Sequence, residues 1–132
     1  MEYILQTDNL SKVYGGKTVL DHVSIHVPKK SIYGLVGKNG AGKTTLMRII
    51  CGLTEQSDGS YELLGKSNDA TVRNKMGMLI EKPGTYENMT ALENLRYFSL
   101  LFGIQSNDHG KILEMVGLKN AEKRKHANSL WE

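Results

Sequence analysis

The stretch Gly37-Lys38-Asn39-Gly40-Ala41-Gly42-Lys43-Thr44 decides how the rest of this sequence is read. It fits G-x-x-x-x-G-K-[ST], with Gly37, Gly42, Lys43 and Thr44 at the fixed positions. Each residue type answers a physical demand. Phosphate oxygens have to come within hydrogen-bond reach of successive backbone N–H groups, and glycine lets the backbone approach with no side chain in the way. A loop curled in this manner points its N–H groups inward as an anion nest. A helix beginning at about Lys43 adds the positive end of its dipole. Lys43 reaches the β- and γ-phosphates as a point charge, and the Thr44 hydroxyl is a ligand for Mg²⁺. The expected ligand is a nucleoside triphosphate, ATP, with Mg²⁺.

The flanks supply the context that this loop needs. Ser31 to Val36 is a short β-prone run and predicts a buried strand before the loop. Lys43 to Ile50 predicts a helix after it, with Leu46, Met47, Ile49 and Ile50 on one side and Gly52 at its C-terminal end. Upstream, Tyr3 to Leu5 and the alternation of Val23, Ile25 and Val27 predict β-structure from residue 3 to 27, ended by Pro28-Lys29-Lys30. Downstream, Asp58-Gly59-Ser60 reads as a turn, Tyr61, Leu63 and Leu64 as a strand closed by Gly65, and Met76 to Ile80 as a further strand. Thr90 with Glu93 three residues later forms a capping-box pattern. Leu92, Leu95, Phe98 and Leu101 then recur at helical spacing up to Gly103. A second helix is expected from about Asp108 to Val116, stopped by Gly117, and a polar one near Ala121 to Ala127. The change from strands to helices near Pro83 reads as a boundary between subdomains 1–82 and 83–132 of one domain.

Composition excludes several classes. The chain has 132 residues, 39% of them hydrophobic and 23% charged, which suits one packed domain. A net charge of +3, with basic residues scattered, gives no stripe for nucleic acid; Lys123-Arg124-Lys125 reads as a solvated helix face. The longest apolar stretch, Tyr97 to Ile104, is far short of the about 18 residues that span a bilayer. No basic region followed by an apolar core opens the chain, so no signal peptide is expected. The single cysteine, Cys51, sits in an apolar run, fits a reduced cytoplasmic compartment and reads as a small core residue. The four histidines, His22, His26, His109 and His126, read as surface or strand residues.

Beyond the loop, four segments agree in order and spacing with one family. They are Leu10 to Leu20, reading Leu-Ser-Lys-Val-Tyr-Gly-Gly-Lys-Thr-Val-Leu and followed by Asp21-His22-Val23-Ser24, the run from Tyr33 through the loop to Thr45-Leu46, Met76 to Asn94, and Glu114-Met115-Val116-Gly117-Leu118. Over essentially the whole chain the sequence resembles the ATP-binding subunits of ABC transporters. The resemblance implies an α/β fold. Its parts would be a P-loop NTPase core, an N-terminal antiparallel β-subdomain and the start of an α-helical subdomain, ending before the signature motif. It implies that Tyr14 stacks on adenine, that Gly37 to Thr45 hold the phosphates, and that Thr44 and the residue at position 81 face the metal. Most members carry glutamine where this chain has Glu81. Glutamate there is similar to a subgroup of exporters for lantibiotics, bacitracin and related peptides, and a carboxylate remains an oxygen ligand suited to Mg²⁺. A rival assigns Met78-Leu79-Ile80-Glu81 to the acidic strand end of other P-loop enzymes. The Lys82-Pro83-Gly84 context disfavours it. A GTPase is disfavoured because Asn74-Lys75-Met76-Gly77 lacks the aspartate that would read guanine.

The resemblance further implies a membrane-spanning partner subunit, a second ATPase subunit, and a place at the cytoplasmic face of the membrane with no direct insertion. It implies a signature motif after the helix that ends at Gly117. The chain offers Asn128-Ser129-Leu130 and then Trp131-Glu132, with no later acidic strand, catalytic glutamate or switch histidine. ATP binding with negligible hydrolysis is therefore expected. A non-catalytic nucleotide-binding module and a soluble, non-transport ABC protein are the alternatives.

Overall fold

The structure, a computed structural model, describes residues 2–67, 69–80, 84–105 and 108–119. By its internal contacts the chain divides into two compact units, Met1–Lys82 and Pro83–Glu132. The first is built on one long strand, β1 (Tyr3–Tyr14), which pairs antiparallel on both edges. Along one edge its first half meets β3 (His26–Pro28) and its second half meets β2 (Lys17–Val23). Along the other edge lies β4 (Asp58–Leu63), which turns through Leu64-Gly65 into β5 (Lys66–Ser67). The β2–β3 corner is pinned by Thr7, which is buried: its hydroxyl donates to Val23 O at 2.9 Å and accepts from Ile25 N at 3.0 Å.

Helix α1 (Lys43–Ile50) covers this sheet. Leu46 and Ile49 are buried with Leu10, Leu20 and Tyr61, and Leu5, Val23, Ile25 and Ile50 pack around them. Apolar residues spaced three apart on the helix thus meet one buried residue from each of β1, β2 and β4. Met47, expected on the same side, is exposed, because it sits one position off that stripe. A short helix, α2 (Ala70–Arg73), was not apparent in the sequence. Asp69 caps it, accepting from Thr71 N at 2.8 Å, and Arg73 donates to the Tyr61 hydroxyl at 3.0 Å. Hydrogen bonds from Lys66 and Thr71 hold the Asp69 carboxyl well below the usual carboxylate range.

Three strand and turn expectations are corrected. Asp58-Gly59-Ser60 is the start of β4 rather than a turn. Gly59 has φ +78°, and a Cβ there would lie 2.3 Å from Asn9 O. It faces the register shift between Asp8 and Ser11, so the glycine marks a bulge. Ser31 to Val36 and Met76 to Ile80 form no strand. A parallel strand is buried on both faces by neighbours, and no described strand lies beside either segment. Ile32 and Val36 are 103% and 96% exposed, and Met78 and Leu79 are exposed as well.

In the second unit, α3 (Ala91–Leu101) starts with the expected capping box: Glu93 N donates to Thr90 Oγ1 and Thr90 N to Glu93 Oε2. Buried Asn94 holds the preceding turn, accepting from Tyr86 N at 2.8 Å and donating to the carbonyls of Tyr86, Met89 and Thr90. Helix α4 (His109–Met115) packs on α3 and ends before Gly117 as expected. His109, expected on the surface, is buried with Nε2 2.8 Å from Ser99 Oγ, because α4 enters against α3 at that residue. The polar helix expected near Ala121 to Ala127, and His126, lie outside the described residues.

Two outcomes are expected. Exposed apolar residues at 32, 36, 78 and 79 leave surface that water solvates poorly. Light scattering should show concentration-dependent self-association, and a stable monomer with a high melting temperature would count against this. Cys51 is buried, as the sequence reading has it, and burial pushes its thiol up against the smaller opposing effect of Arg73. At mildly alkaline pH, alkylation of the folded chain should be at least about tenfold slower than in urea, since the thiolate is the nucleophile.

Candidate phosphate-binding site

The loop between Val36 and α1 curls back on itself. Ala41 N donates to Lys38 O at 3.1 Å, and a Cβ on Gly37 would lie 3.5 Å from Ala41 Cβ. Two residues supply the left-handed backbone that the curl needs, Gly40 at φ +82° and Gly42 at φ +86°. Gly42 is also the N-cap of α1, with no side-chain cap, so the first-turn N–H groups of the helix open toward the loop. Gly42 is buried against β2. A Cβ there would stand 2.5 Å from Val19 O and 2.6 Å from Leu20 Cδ2. Backbone angle and close approach thus both demand glycine at this position.

Lys43 lies across the loop. Its ammonium donates to Gly37 O at 2.5 Å and to Lys38 O at 2.7 Å. The positive charge therefore lies across the curl, on the carbonyls of Gly37 and Lys38. Thr44 and Thr45 are half-buried in the first turn of α1, and residues 37–41 are exposed. A set of N–H donors, one lysine and a threonine hydroxyl suits a polyphosphate with Mg²⁺ and offers nothing to a soft metal. Among the described residues no group of three or more His, Cys, Asp or Glu side chains could hold a metal by itself. Glu81, expected beside that ion, lies outside the described residues.

Tyr14 closes β1, opposite Lys17, and its ring is about half exposed, at 47%. The Lys12 ammonium sits 4.8 Å from the ring centroid. Lys12 also donates to Glu55 O at 2.6 Å, and the Tyr14 hydroxyl is 3.5 Å from Thr54 Oγ1. The segment after α1 is laced to the same strand: Val13 N donates to Ser57 Oγ and Ser57 N to Ser11 O. Tyr14 and the loop thus share one scaffold, because β2 pairs with β1 at the tyrosine and backs Gly42 at Val19-Leu20.

Sequence reasoning missed Lys12 and the Val19-Leu20 seat. A lysine two residues before an aromatic in a strand shares its face, and that spacing was the available signal for Lys12. The seat carries no signal of its own, since it depends on tertiary packing.

This fold and loop define the class of P-loop nucleotide-binding proteins. The family model described as ABC transporter matches residues 20–130, and the chain belongs to that family. It is 46% identical over 129 residues to the bacitracin transport ATP-binding protein BcrA of Enterococcus faecalis, covering 95% of this chain and 42% of that protein. It is 36% identical over 121 residues to the lantibiotic transport ATP-binding protein SrtF of Streptococcus pyogenes, covering 92% of this chain and 53% of that protein. Among solved structures, the ATP-binding subunit of an ABC transporter superposes with a TM-score of 0.79 at 27% identity, covering 96% of this chain and 56% of that one. An ATP-binding cassette in its ADP conformation gives 0.77 at 27% identity, over 99% of this chain and 60% of that one. The chain spans about half the length of the relatives it matches. The α/β fold and the N-terminal position within an ABC ATPase domain, both implied by the sequence, are those of these relatives.

Replacing Gly42 by alanine should be severe. The left-handed angle alone costs on the order of 1 kcal/mol, and the Cβ would overlap a carbonyl. Denaturant unfolding of Gly42→Ala is expected to show a lower midpoint than the native chain. An unchanged midpoint would mean that the loop is not seated on β2.

Proposed function

We propose that this chain is the ATP-gripping part of an ABC transporter ATPase subunit, and that its parent couples ATP hydrolysis to export of a peptide antibiotic or related drug. The observation that carries the reading is the loop, with Gly42 seated on β2 and the Lys43 ammonium 2.5 and 2.7 Å from the loop carbonyls. Its similarity to bacitracin and lantibiotic transport proteins supports the cargo class.

In this reading Gly37, Lys38, Asn39, Gly40, Ala41, Gly42, Lys43, Thr44 and Thr45 hold the triphosphate. The loop N–H groups and the start of α1 accept its charge. Lys43 exchanges carbonyl oxygens for β- and γ-phosphate oxygens, so its charge is used where negative charge is densest. The Thr44 hydroxyl and Glu81 would hold Mg²⁺, which would supply charge neutralisation at the phosphates. Tyr14 stacks on adenine, which hides a base face from water. Residues 1–82 serve as β-subdomain and P-loop core, and residues 83–132 as the start of the helical subdomain. The parent's partners are a membrane-spanning subunit and a second ATPase subunit at the cytoplasmic face. No described helix is long and apolar enough to cross a membrane.

Hydrolysis needs an oriented water and further charge stabilisation beside the triphosphate grip, so nucleotide binding is the property that tests the loop directly. A fluorescent ATP analogue titrated with Mg²⁺ should bind, and Lys43→Ala should weaken it at least about tenfold, the loss of one charge-assisted contact of about 1.5–3 kcal/mol. Equal affinity in both proteins would overturn the phosphate assignment.

A further inference from the structure

We infer that Lys12 is a positioning residue for the nucleobase: it fixes the Tyr14 ring from one face and leaves the other for the base. The inference rests on the reading that Tyr14 stacks on adenine. Three observations carry it. Lys12 and Tyr14 are two apart on β1 and so project from the same face, and the Lys12 ammonium lies 4.8 Å from the ring centroid. The ammonium is itself anchored, donating to Glu55 O at 2.6 Å, so it is not a free lysine tip that touches the ring in passing. The ring's far end is steadied by Thr54, whose Oγ1 lies 3.5 Å from the Tyr14 hydroxyl. Both anchors come from the segment that follows α1, so the platform for the base is tied to the helix that begins at the phosphate loop.

A cation over one face of an aromatic ring is attracted by its quadrupole. Held in place, it restricts the ring to the orientation in which its opposite face is presented. Ring freedom that binding would otherwise remove is then already lost, which is the advantage of preorganisation. Lys12 acts through Tyr14 and touches no phosphate in this scheme. That separates it from the alternative that Lys12 simply attracts polyanions.

The test uses the whole chain and two probes, ATP and inorganic tripolyphosphate, each with Mg²⁺, measured by calorimetric titration. Lys12→Met keeps the aliphatic stem and removes the charge. It should weaken ATP binding between about twofold and fivefold, as expected for a cation–π contact at a partly exposed site, and leave tripolyphosphate binding unchanged. Lys12→Arg should restore ATP binding. In a Tyr14→Ala background, Lys12→Met should have no further effect. Unchanged tripolyphosphate binding also shows that the loop is folded. Equal losses for both probes would overturn the inference in favour of general electrostatic attraction. A loss for ATP that persists in the Tyr14→Ala background would overturn it as well. Tyr14→Ala binding ATP as tightly as the native chain would instead sink the base-stacking reading. Tyr14→Ala weak with Lys12→Met normal would sink Lys12 alone.

Discussion

Everything the first unit does with its glycine-rich loop depends on the absence of a side chain at Gly42. At φ +86°, with Val19 O and Leu20 Cδ2 within 2.6 Å of where a Cβ would be, the backbone lies directly on β2. That contact fixes where α1 begins. The helix then buries Leu46 and Ile49 against Leu10, Leu20 and Tyr61, and this burial fixes its direction. Leu20 belongs to both contacts. One leucine of β2 therefore sets the height of the loop and the packing of the helix that follows it.

The far end of α1 is held by different means. There the chain runs antiparallel contacts to β1 through Ser57, and Lys12 and Tyr14 engage Glu55 and Thr54. The helix is thus secured at its start by close backbone packing and after its end by hydrogen bonds. The two fixings differ in strength. The first is within the apolar core, where any displacement opens a void. The second is solvent-exposed and worth less per bond.

Features whose determinants lie within one turn of chain were legible in the sequence. The Thr90–Glu93 box closes over three residues, and α1 and α4 carry their own stop residues. The loop was legible for the same reason, since its curl, its lysine and its cap are contiguous. Features decided by a distant partner were not. Ser31 to Val36 has the composition of a buried strand, but composition cannot supply a neighbour, and without one Ile32 and Val36 stand in solvent. Asp58-Gly59 has the same residues whether the chain turns or bulges, and the choice is made by Asn9 across the ladder. His109 carries no local sign of burial, which Ser99 and α3 impose. Lys12 was missed because its anchor on Glu55, 43 residues away, is set by the fold.

The exposed segments and the well-packed loop follow from one asymmetry. The antiparallel ladders of β1 with β2, β3 and β4 close among strands that the described residues all contain, β4 returning to β1 after α1. A parallel core strand closes its hydrogen bonds only with strands that return through long crossovers. The phosphate loop sits where these two regimes meet. On its C-terminal side, α1 is packed on this paired sheet. On its N-terminal side, Ser31 to Val36 leads in with no ladder. The position of the loop needs only the first, because Gly42 is seated on Val19 and Leu20 of β2 and α1 buries Leu46 and Ile49 beside the same Leu20. The loop is thus held from one side, by the sheet whose strands are paired.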